Sequence, residues 1–324
     1  MKIAIIGTGA YGIAMSLMLN ENNKNIVMYT KFEEELKTLR KYRANPALLP
    51  GVKIPGNITF TNDMKECVEN SDIIFIMVPA GFVDDVSREL ANYYNKQIIC
   101  IGSKGIEQDT CLFVADVVRK YIETDKIAVL SGPSFAIDMA SYVPIGLTLA
   151  TENKKIGKIV KKSLENNYLK IRVCDDIVGT EICGSIKNII AIASGIIEGL
   201  DLPESTRAML LTESMHDIKE LINVLGGNKK TILSYAGIGD LILTCSSDKS
   251  RNYTFGKMLG ERKSKSEIEK YLSETTVEGF YTLKSIYNLL RNKKVKMPII
   301  DLMYDIIIHG EDVDKLKKFL VEKE

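Results

Sequence analysis

The chain has 324 residues, 45% of them hydrophobic and 26% charged, with 43 Lys plus Arg against 42 Asp plus Glu. That length exceeds what one hydrophobic core organises, so two domains are expected. The near-zero net charge argues against a nucleic-acid binder, which carries a basic excess on one face. Six scattered cysteines (Cys67, Cys100, Cys111, Cys174, Cys183, Cys245) form no C-x-x-C pair, and there are only two histidines, His216 and His309. That pattern suits neither a zinc site nor a disulfide framework, and predicts reduced thiols in a cytoplasmic protein. The start, Met1-Lys2-Ile3-Ala4-Ile5-Ile6, is too short an apolar run for a signal peptide. Residues 189–197 fall well short of the ~20 needed to span a bilayer, so no membrane insertion is expected.

In chain order, residues 3–6, 25–29, 58–61, 73–78, 97–101 and 127–130 read as strands, several of them continuously apolar as buried parallel strands are. Between them lie helical stretches such as 83–94, where Val86, Leu90 and Tyr93 recur at helical spacing. Residues 146–150 and 170–173 extend the sheet. From about Asp176 strands disappear, and 181–199, 206–225 and 278–291 show helical periodicity. The Lys-rich piece 261–270 reads as a solvated loop and helix face. The predicted architecture is α/β: a doubly wound, Rossmann-type N-terminal domain over 1–176, then an all-helical domain over 177–324.

Gly7-Thr8-Gly9-Ala10-Tyr11-Gly12 is a G-x-G-x-x-G loop that follows the first strand directly and opens an apolar helix. In that context Gly7 serves the tight turn, Gly9 lets backbone approach a pyrophosphate, and Gly12 permits close helix packing. The helix N-terminus adds free N–H groups and a positive dipole end. An acidic residue after the second strand would select NAD. Here the strand runs Met28-Tyr29-Thr30-Lys31, with glutamates only at 33–35. Lys31 either meets a 2′-phosphate or is a plain surface lysine; the expected cofactor is NADP or NAD, with a modest lean to NADPH.

Oxidising a secondary alcohol by hydride transfer requires a base for the hydroxyl proton, and the reverse reduction uses the same group as an acid. Neither histidine has a motif around it. The alternative is Lys187, set between Ile182, Ile186, Ile189 and Ile190, where burial and nearby cations, with Lys104 expected close by, would tune its proton affinity. Asp240 would orient its ammonium. The plainer reading is a lysine at a helix end with its head in water. Arg251-Asn252 suits a phosphate clamp, because guanidinium and amide supply fixed donors. A segment with Pro46, Pro50 and Pro55 forms either a flap over the cofactor or a plain surface loop.

Several stretches occur in one order along nearly the whole chain: the glycine loop, Gly102-Ser103-Lys104-Gly105, Ser131-Gly132-Pro133-Ser134-Phe135-Ala136, Lys187-Asn188, Gly239-Asp240-Leu241, Thr244-Cys245, Ser250-Arg251-Asn252 and Val277-Glu278-Gly279. Together they resemble the bacterial-type NAD(P)-dependent glycerol-3-phosphate dehydrogenases. The resemblance implies that Lys187 is the catalytic lysine. It implies substrate contacts from Lys104, Gly132, Ser134, Lys187, Asp240, Ser250, Arg251 and Asn252. Cofactor contacts would come from Ala10, Tyr11, Lys31, Lys104, Ala136, Arg251, Thr276 and Glu278. Ala10, Ala80 and Ile137-Asp138 depart from the usual pattern at flanking or backbone-contact positions. The implied activity interconverts dihydroxyacetone phosphate and sn-glycerol 3-phosphate, supplying phospholipid synthesis, with no metal; the sequence leaves a homodimer open. A β-hydroxyacid or 6-phosphogluconate-type dehydrogenase shares the architecture and a helix lysine, and a nucleotide-sensing regulator would keep only the glycine loop. Arg251-Asn252 argues against the first, and Lys187 with Asp240 against the second.

Overall fold

A computed structural model describes residues 1–108 and 110–322. Eight strands form one sheet: β1 (Lys2–Ile6), β2 (Asn25–Tyr29), β3 (Ile58–Thr61), β4 (Ile73–Ile76), β5 (Ile98–Ile101), β6 (Ile127–Ser131), β7 (Ile145–Ala150) and β8 (Leu169–Cys174). Their order across the sheet is β3-β2-β1-β4-β5-β6-β7-β8. The reversal at β1 and β4 is the switch point of a doubly wound sheet, the place where such folds bind dinucleotides. Isoleucine-rich β4 and β5 are buried at every position because helices cover both faces. The helix Ala10–Asn20 packs beside them, buried from Gly12 through Asn20.

Two strand details differ from expectation. The fourth strand ends at Ile76 rather than running to 78, as the chain turns out of the ladder before Pro79. The sheet is also not wholly parallel, since β7 runs antiparallel to β6 while β8 is parallel to β7. The β6–β7 connection contains only the five-residue helix Ala136–Ala140. At about 1.5 Å per residue that helix spans ~8 Å, too little to carry the chain back along a strand for a parallel crossover. The β7–β8 connection holds the longer helix Lys154–Leu164 and does carry it back.

Two compact units result: Met1–Lys104 with Phe113–Ile177, and Gly105–Leu112 with Val178–Glu324. The second unit is built around the helix Ile177–Gly199. By length and composition this helix could cross a bilayer, but 89% of its apolar window is buried inside the protein, so it is a core helix. Around it lie Glu204–Val224, Asp240–Cys245, Arg251–Gly260, Lys265–Glu274, Glu278–Lys293 and Pro298–Ile308. The Lys-rich piece 261–270 resolves into a turn and the start of helix Lys265–Glu274, whose N-terminus carries a full capping box from Ser264 and Glu267.

Candidate active site

In the first unit the glycine loop has the geometry its spacing demands. Gly7 sits at φ +115°, and a Cβ there would meet the Met77 carbonyl oxygen at 2.6 Å; a Cβ at Gly12 would overlap the Gly7 carbonyl oxygen. Gly9 is different: it is exposed, with nothing within 4 Å of where a Cβ would stand. The helix Ala10–Asn20 begins there without a side-chain cap, and its first intrahelical bond runs from Ile13 N to Gly9 O at 3.0 Å. The positive dipole end of this helix thus lies beside open space, the setting in which a helix start receives an anion.

Beyond the ends of β5 and β6, the Gly132 carbonyl accepts from Lys104 Nζ at 3.3 Å and from Ser134 Oγ at 3.0 Å. Tyr11 Oη lies 3.3 Å from Ser134 Oγ. One polar cluster therefore joins the glycine-loop helix to Lys104, Gly132 and Ser134, all at the carboxyl edge of the sheet. Ala136 opens the next helix, whose start is also uncapped by a side chain.

At the end of β2, Lys31 is exposed and makes no ion pair among the described residues. All three following glutamates are engaged elsewhere. Glu33 accepts from Asn62 Nδ2 at 2.7 Å, Glu34 pairs with Lys37 at 2.7 Å, and Glu35 accepts from the Thr30 hydroxyl and from Asn45 Nδ2 at 3.2 Å. The proline segment is fastened to the core of this unit. Leu49 and Ile54 are buried, and the Arg43 guanidinium donates to the carbonyls of Ile54, Pro55 and Ile58.

In the second unit, Lys187 does not reach water. Its Nζ donates to Asp240 Oδ1 at 2.7 Å and to Thr244 Oγ1 at 2.9 Å, and the lysine and aspartate side chains are 9% and 2% exposed. Asp240 and Thr244 stand one turn apart on Asp240–Cys245, so both meet the same ammonium. Thr244 Oγ1 also donates to the Asp240 carbonyl at 2.6 Å, which fixes its lone pair toward the lysine. Immediately before Asp240 the chain makes a π-turn over Tyr235–Gly239, broken at Gly237 (φ −85°, ψ −108°) and held by Ser234 Oγ accepting from Gly237 N at 3.2 Å. Such turns recur at functional sites; this one starts a new helix with Asp240 as its first residue. Cys245 donates to the Lys187 carbonyl at 3.9 Å, and burial pushes its thiol up, so it stands there as a neutral packing group.

Asn188, the next residue along, accepts from Asn252 Nδ2 at 3.0 Å and donates to Glu278 Oε2 at 3.1 Å. Asn252 Oδ1 accepts in turn from Gly279 N at 2.8 Å. Ser250 caps Arg251–Gly260 by accepting from Tyr253 N at 3.2 Å. Arg251 is the exposed first residue of that helix, and Thr276 is exposed just before Glu278. The helix carrying Lys187 and the helix carrying Arg251 touch backbone to backbone. Cβ atoms at Gly195 and Gly256 would overlap the carbonyl oxygens of Tyr253 and Ile192, and those at Gly199 and Gly260 would overlap Lys257 and Ile196 in the same way. Four glycines thus set the distance across which Asn188 reaches Asn252.

Of the residues singled out in the sequence, the first unit groups Tyr11, Lys104, Gly132 and Ser134; the second groups Lys187 with Asp240, and Asn252 with Glu278. The contacts of Lys187 include a carboxylate and a hydroxyl. Both histidines lie away from this group, His309 pairing with Asp305 at 3.0 Å on its own helix and His216 on Glu204–Val224. Thr244 and Asn188 stand in the quoted stretches without a contact to Lys187 or Asn252 assigned to them. The i, i+4 spacing from Asp240 signals the first, and adjacency to Lys187 the second.

Comparison with known proteins identifies the family of the chain. Family models for the NAD-dependent glycerol-3-phosphate dehydrogenase N-terminus and C-terminus match residues 2–157 and 176–318. The glycerol-3-phosphate dehydrogenase [NAD(P)+] of Staphylococcus epidermidis RP62A is 34% identical over 327 residues, covering 100% of this chain and 98% of that protein. The protein of that name from Thermoanaerobacter sp. X514 is 36% identical over 313 residues, 96% of this chain and 94% of the other. The crystal structure of glycerol-3-phosphate dehydrogenase from Coxiella burnetii superposes with a TM-score of 0.93 at 30% identity over 99% of both chains. The chain belongs to the NAD-dependent glycerol-3-phosphate dehydrogenase family.

Proposed function

We propose that this chain reduces dihydroxyacetone phosphate to sn-glycerol 3-phosphate, and runs the reverse oxidation, with Lys187 as its proton-transferring group. The observation that carries this reading is the buried Lys187–Asp240–Thr244 cluster. A carboxylate at hydrogen-bond distance favours the ammonium, the form that can give a proton. In the reduction, hydride reaches C2 while Lys187 delivers its proton to the oxygen developing there as alkoxide. Asp240 and Thr244 hold the ammonium on one line of approach, and Asn188 and Asn252 hold the neighbouring helix start in register. Arg251 binds the phosphate as a charged fork, with Ser250 and Asn252 beside it. Lys104, Gly132 and Ser134 contribute further substrate contacts in this reading.

The residues present fit a dinucleotide, which when bound supplies the hydride. The uncapped helix start at Ala10 and the open side of Gly9 suit a pyrophosphate. Gly7, Gly12, Tyr11, Lys104, Ala136, Arg251, Thr276 and Glu278 complete the proposed cofactor contacts. In this reading Lys31 attracts a 2′-phosphate; of the glutamates that follow, Glu34 is charge-paired with Lys37, and Glu33 and Glu35 are hydrogen-bonded to Asn62, Thr30 and Asn45. Residues 1–176 are the dinucleotide-binding portion and 177–324 the main substrate-binding portion. The reduction direction provides glycerol 3-phosphate for phospholipid synthesis in the cytoplasm. The test is loss of nicotinamide absorbance on mixing the chain with NADPH or NADH and dihydroxyacetone phosphate. Turnover of a β-hydroxyacid instead, with none of the triose phosphate, would refute the reading.

A further inference from the structure

The helix Lys154–Leu164, none of whose residues belongs to the site described above, has the sequence KKIGKIVKKSL. Its inward side is apolar: Ile156, Gly157, Val160, Ser163 and Leu164 are buried. Its outward side is almost pure lysine. Lys154, Lys158 and Lys162 form an i, i+4, i+8 stripe, with Lys155 and Lys161 on either side. At one edge of them Ile159 is 40% exposed, and on the opposite flank Val173 of β8 is 44% exposed, lying against the helix at Gly157.

The helix's own electrostatics do not account for these lysines. Lys154 and Lys155 occupy the first turn, where the dipole end is positive and no acidic residue stands. The pairs 154/158 and 158/162 set like charges one turn apart, which weakens a helix. The ion pair this face makes is Lys161 with Glu165, at 3.4 Å and exposed to solvent. The whole chain carries a net charge of only +1, so the excess is a local choice and not a bulk property. Cations gathered against the fold's own preference are the footprint of an anionic partner.

We propose that this face is an electrostatic docking surface for an anionic lipid bilayer, held at the headgroups without insertion. Two features favour a bilayer over a nucleic acid. Every cation on the helix is a lysine, a point charge without the planar fork that reads phosphate pairs. The exposed apolar groups within the field are Ile159 and Val173 rather than aromatic platforms for bases. Small apolar side chains among lysines suit the boundary of headgroup and acyl chain. An anionic leaflet attracts each nearby lysine by about 1 kcal/mol, roughly a fivefold gain in partitioning per residue. Three lysines acting together therefore give on the order of 100-fold.

The experiment is co-sedimentation of the full chain with vesicles of phosphatidylcholine mixed with phosphatidylglycerol, and with vesicles of phosphatidylcholine alone, across a salt series. Binding should require phosphatidylglycerol and vanish towards ~1 M salt, where screening acts within about 3 Å. The triple variant Lys154→Gln, Lys158→Gln, Lys162→Gln should lose on the order of 100-fold in partitioning, with dihydroxyacetone phosphate reduction unchanged as evidence of folding. Ile159→Ser should weaken vesicle binding severalfold while leaving any binding to duplex DNA untouched. Equal binding to both vesicle types, an unaffected triple variant, or a chain that prefers duplex DNA and ignores Ile159→Ser would each overturn the proposal.

Discussion

Replacing Asp240 by asparagine removes one charge from a buried pair while keeping the shape and an acceptor oxygen. Lys187 Nζ lies 2.7 Å from Asp240 Oδ1, and the carboxylate is 2% exposed. At an effective dielectric of about 20, two unit charges at that separation attract by ~6 kcal/mol. Without that carboxylate the burial of the Lys187 charge loses its offset, so Asp240→Asn should lower the proton affinity of Lys187. The destabilisation is capped accordingly, within the ~3–5 kcal/mol typical of a broken buried pair. Reduction of dihydroxyacetone phosphate at pH 7 should then fall by ~10²–10⁴, the usual worth of a positioned acid. The distinctive outcome is recovery: as pH is lowered, kcat for reduction should climb back, its alkaline fall having moved to lower pH. Lys187→Met, which has no proton to regain, should be equally slow and stay flat. The assay is nicotinamide absorbance against pH for wild type and both variants, with circular dichroism as a check of folding. A profile for Asp240→Asn that is merely scaled down, with its inflections unmoved, would refute the claim that Asp240 acts by charge.

Arg251→Ala should raise KM for the triose phosphate, corresponding to the ~2–5 kcal/mol of a truncated charged contact, and should narrow the preference for dihydroxyacetone phosphate over dihydroxyacetone in kcat/KM. An unchanged preference would move the phosphate elsewhere. Lys31→Glu should reverse a lean to NADPH that is about fivefold in the wild type, the ~1 kcal/mol of an exposed ion contact, as read from kcat/KM for both cofactors; an unmoved ratio would show that Lys31 does not face the 2′-phosphate. Gly256→Ala should lower the unfolding midpoint, because overpacking a tight contact costs ~1–3 kcal/mol; a neutral result in thermal melts would show that the helices can part freely. Acid should also destabilise the second unit. The Ser264 hydroxyl and amide hold the Glu267 carboxyl below its usual value, and the Asp314 amide, then Arg262, does so for Asp312. Both groups bind protons more readily when unfolded, so their contribution is present above about pH 4.5 and lost as pH falls through the folded values. Ser264→Ala should flatten that loss in denaturant titrations run across acid pH.

Much of the first unit was legible because its rules are local. A buried parallel strand announces itself as an unbroken apolar run, and a G-x-G-x-x-G loop needs only its flanking strand and helix to be recognised. The short β6–β7 connection shows where local reading stopped. Residues 146–150 read as a strand, but their direction depended on how far residues 132–144 travel, which apolar pattern does not encode. The capping box at Ser264 and Glu267 was written in the sequence, where 261–270 reads as a solvated loop and helix face without a defined start for helix Lys265–Glu274.

Lys187 marks the deeper limit. Its apolar neighbours said that the stem was buried, which is compatible with a head in water at the end of the helix. What decides between the two is whether an acceptor waits at the far end, and that acceptor comes from more than fifty residues away. The contact made by the next residue, Asn188, depends on backbone contact between its helix and the one that starts at Arg251, which requires glycine at Gly195, Gly199, Gly256 and Gly260 together. Each of these reads singly as a weak point in a helix, costing about 1 kcal/mol relative to alanine. As two facing pairs at four-residue spacing they become the reason the helices close on each other. Asn188 and Asn252 can then share a hydrogen bond at 3.0 Å, and the helix bearing Arg251 starts where that bond holds it. The helices that carry Lys187 and Arg251 are thus positioned by residues with no chemistry of their own. A search for reactive side chains passes over such residues, whereas asking why a helix tolerates two glycines one turn apart finds them.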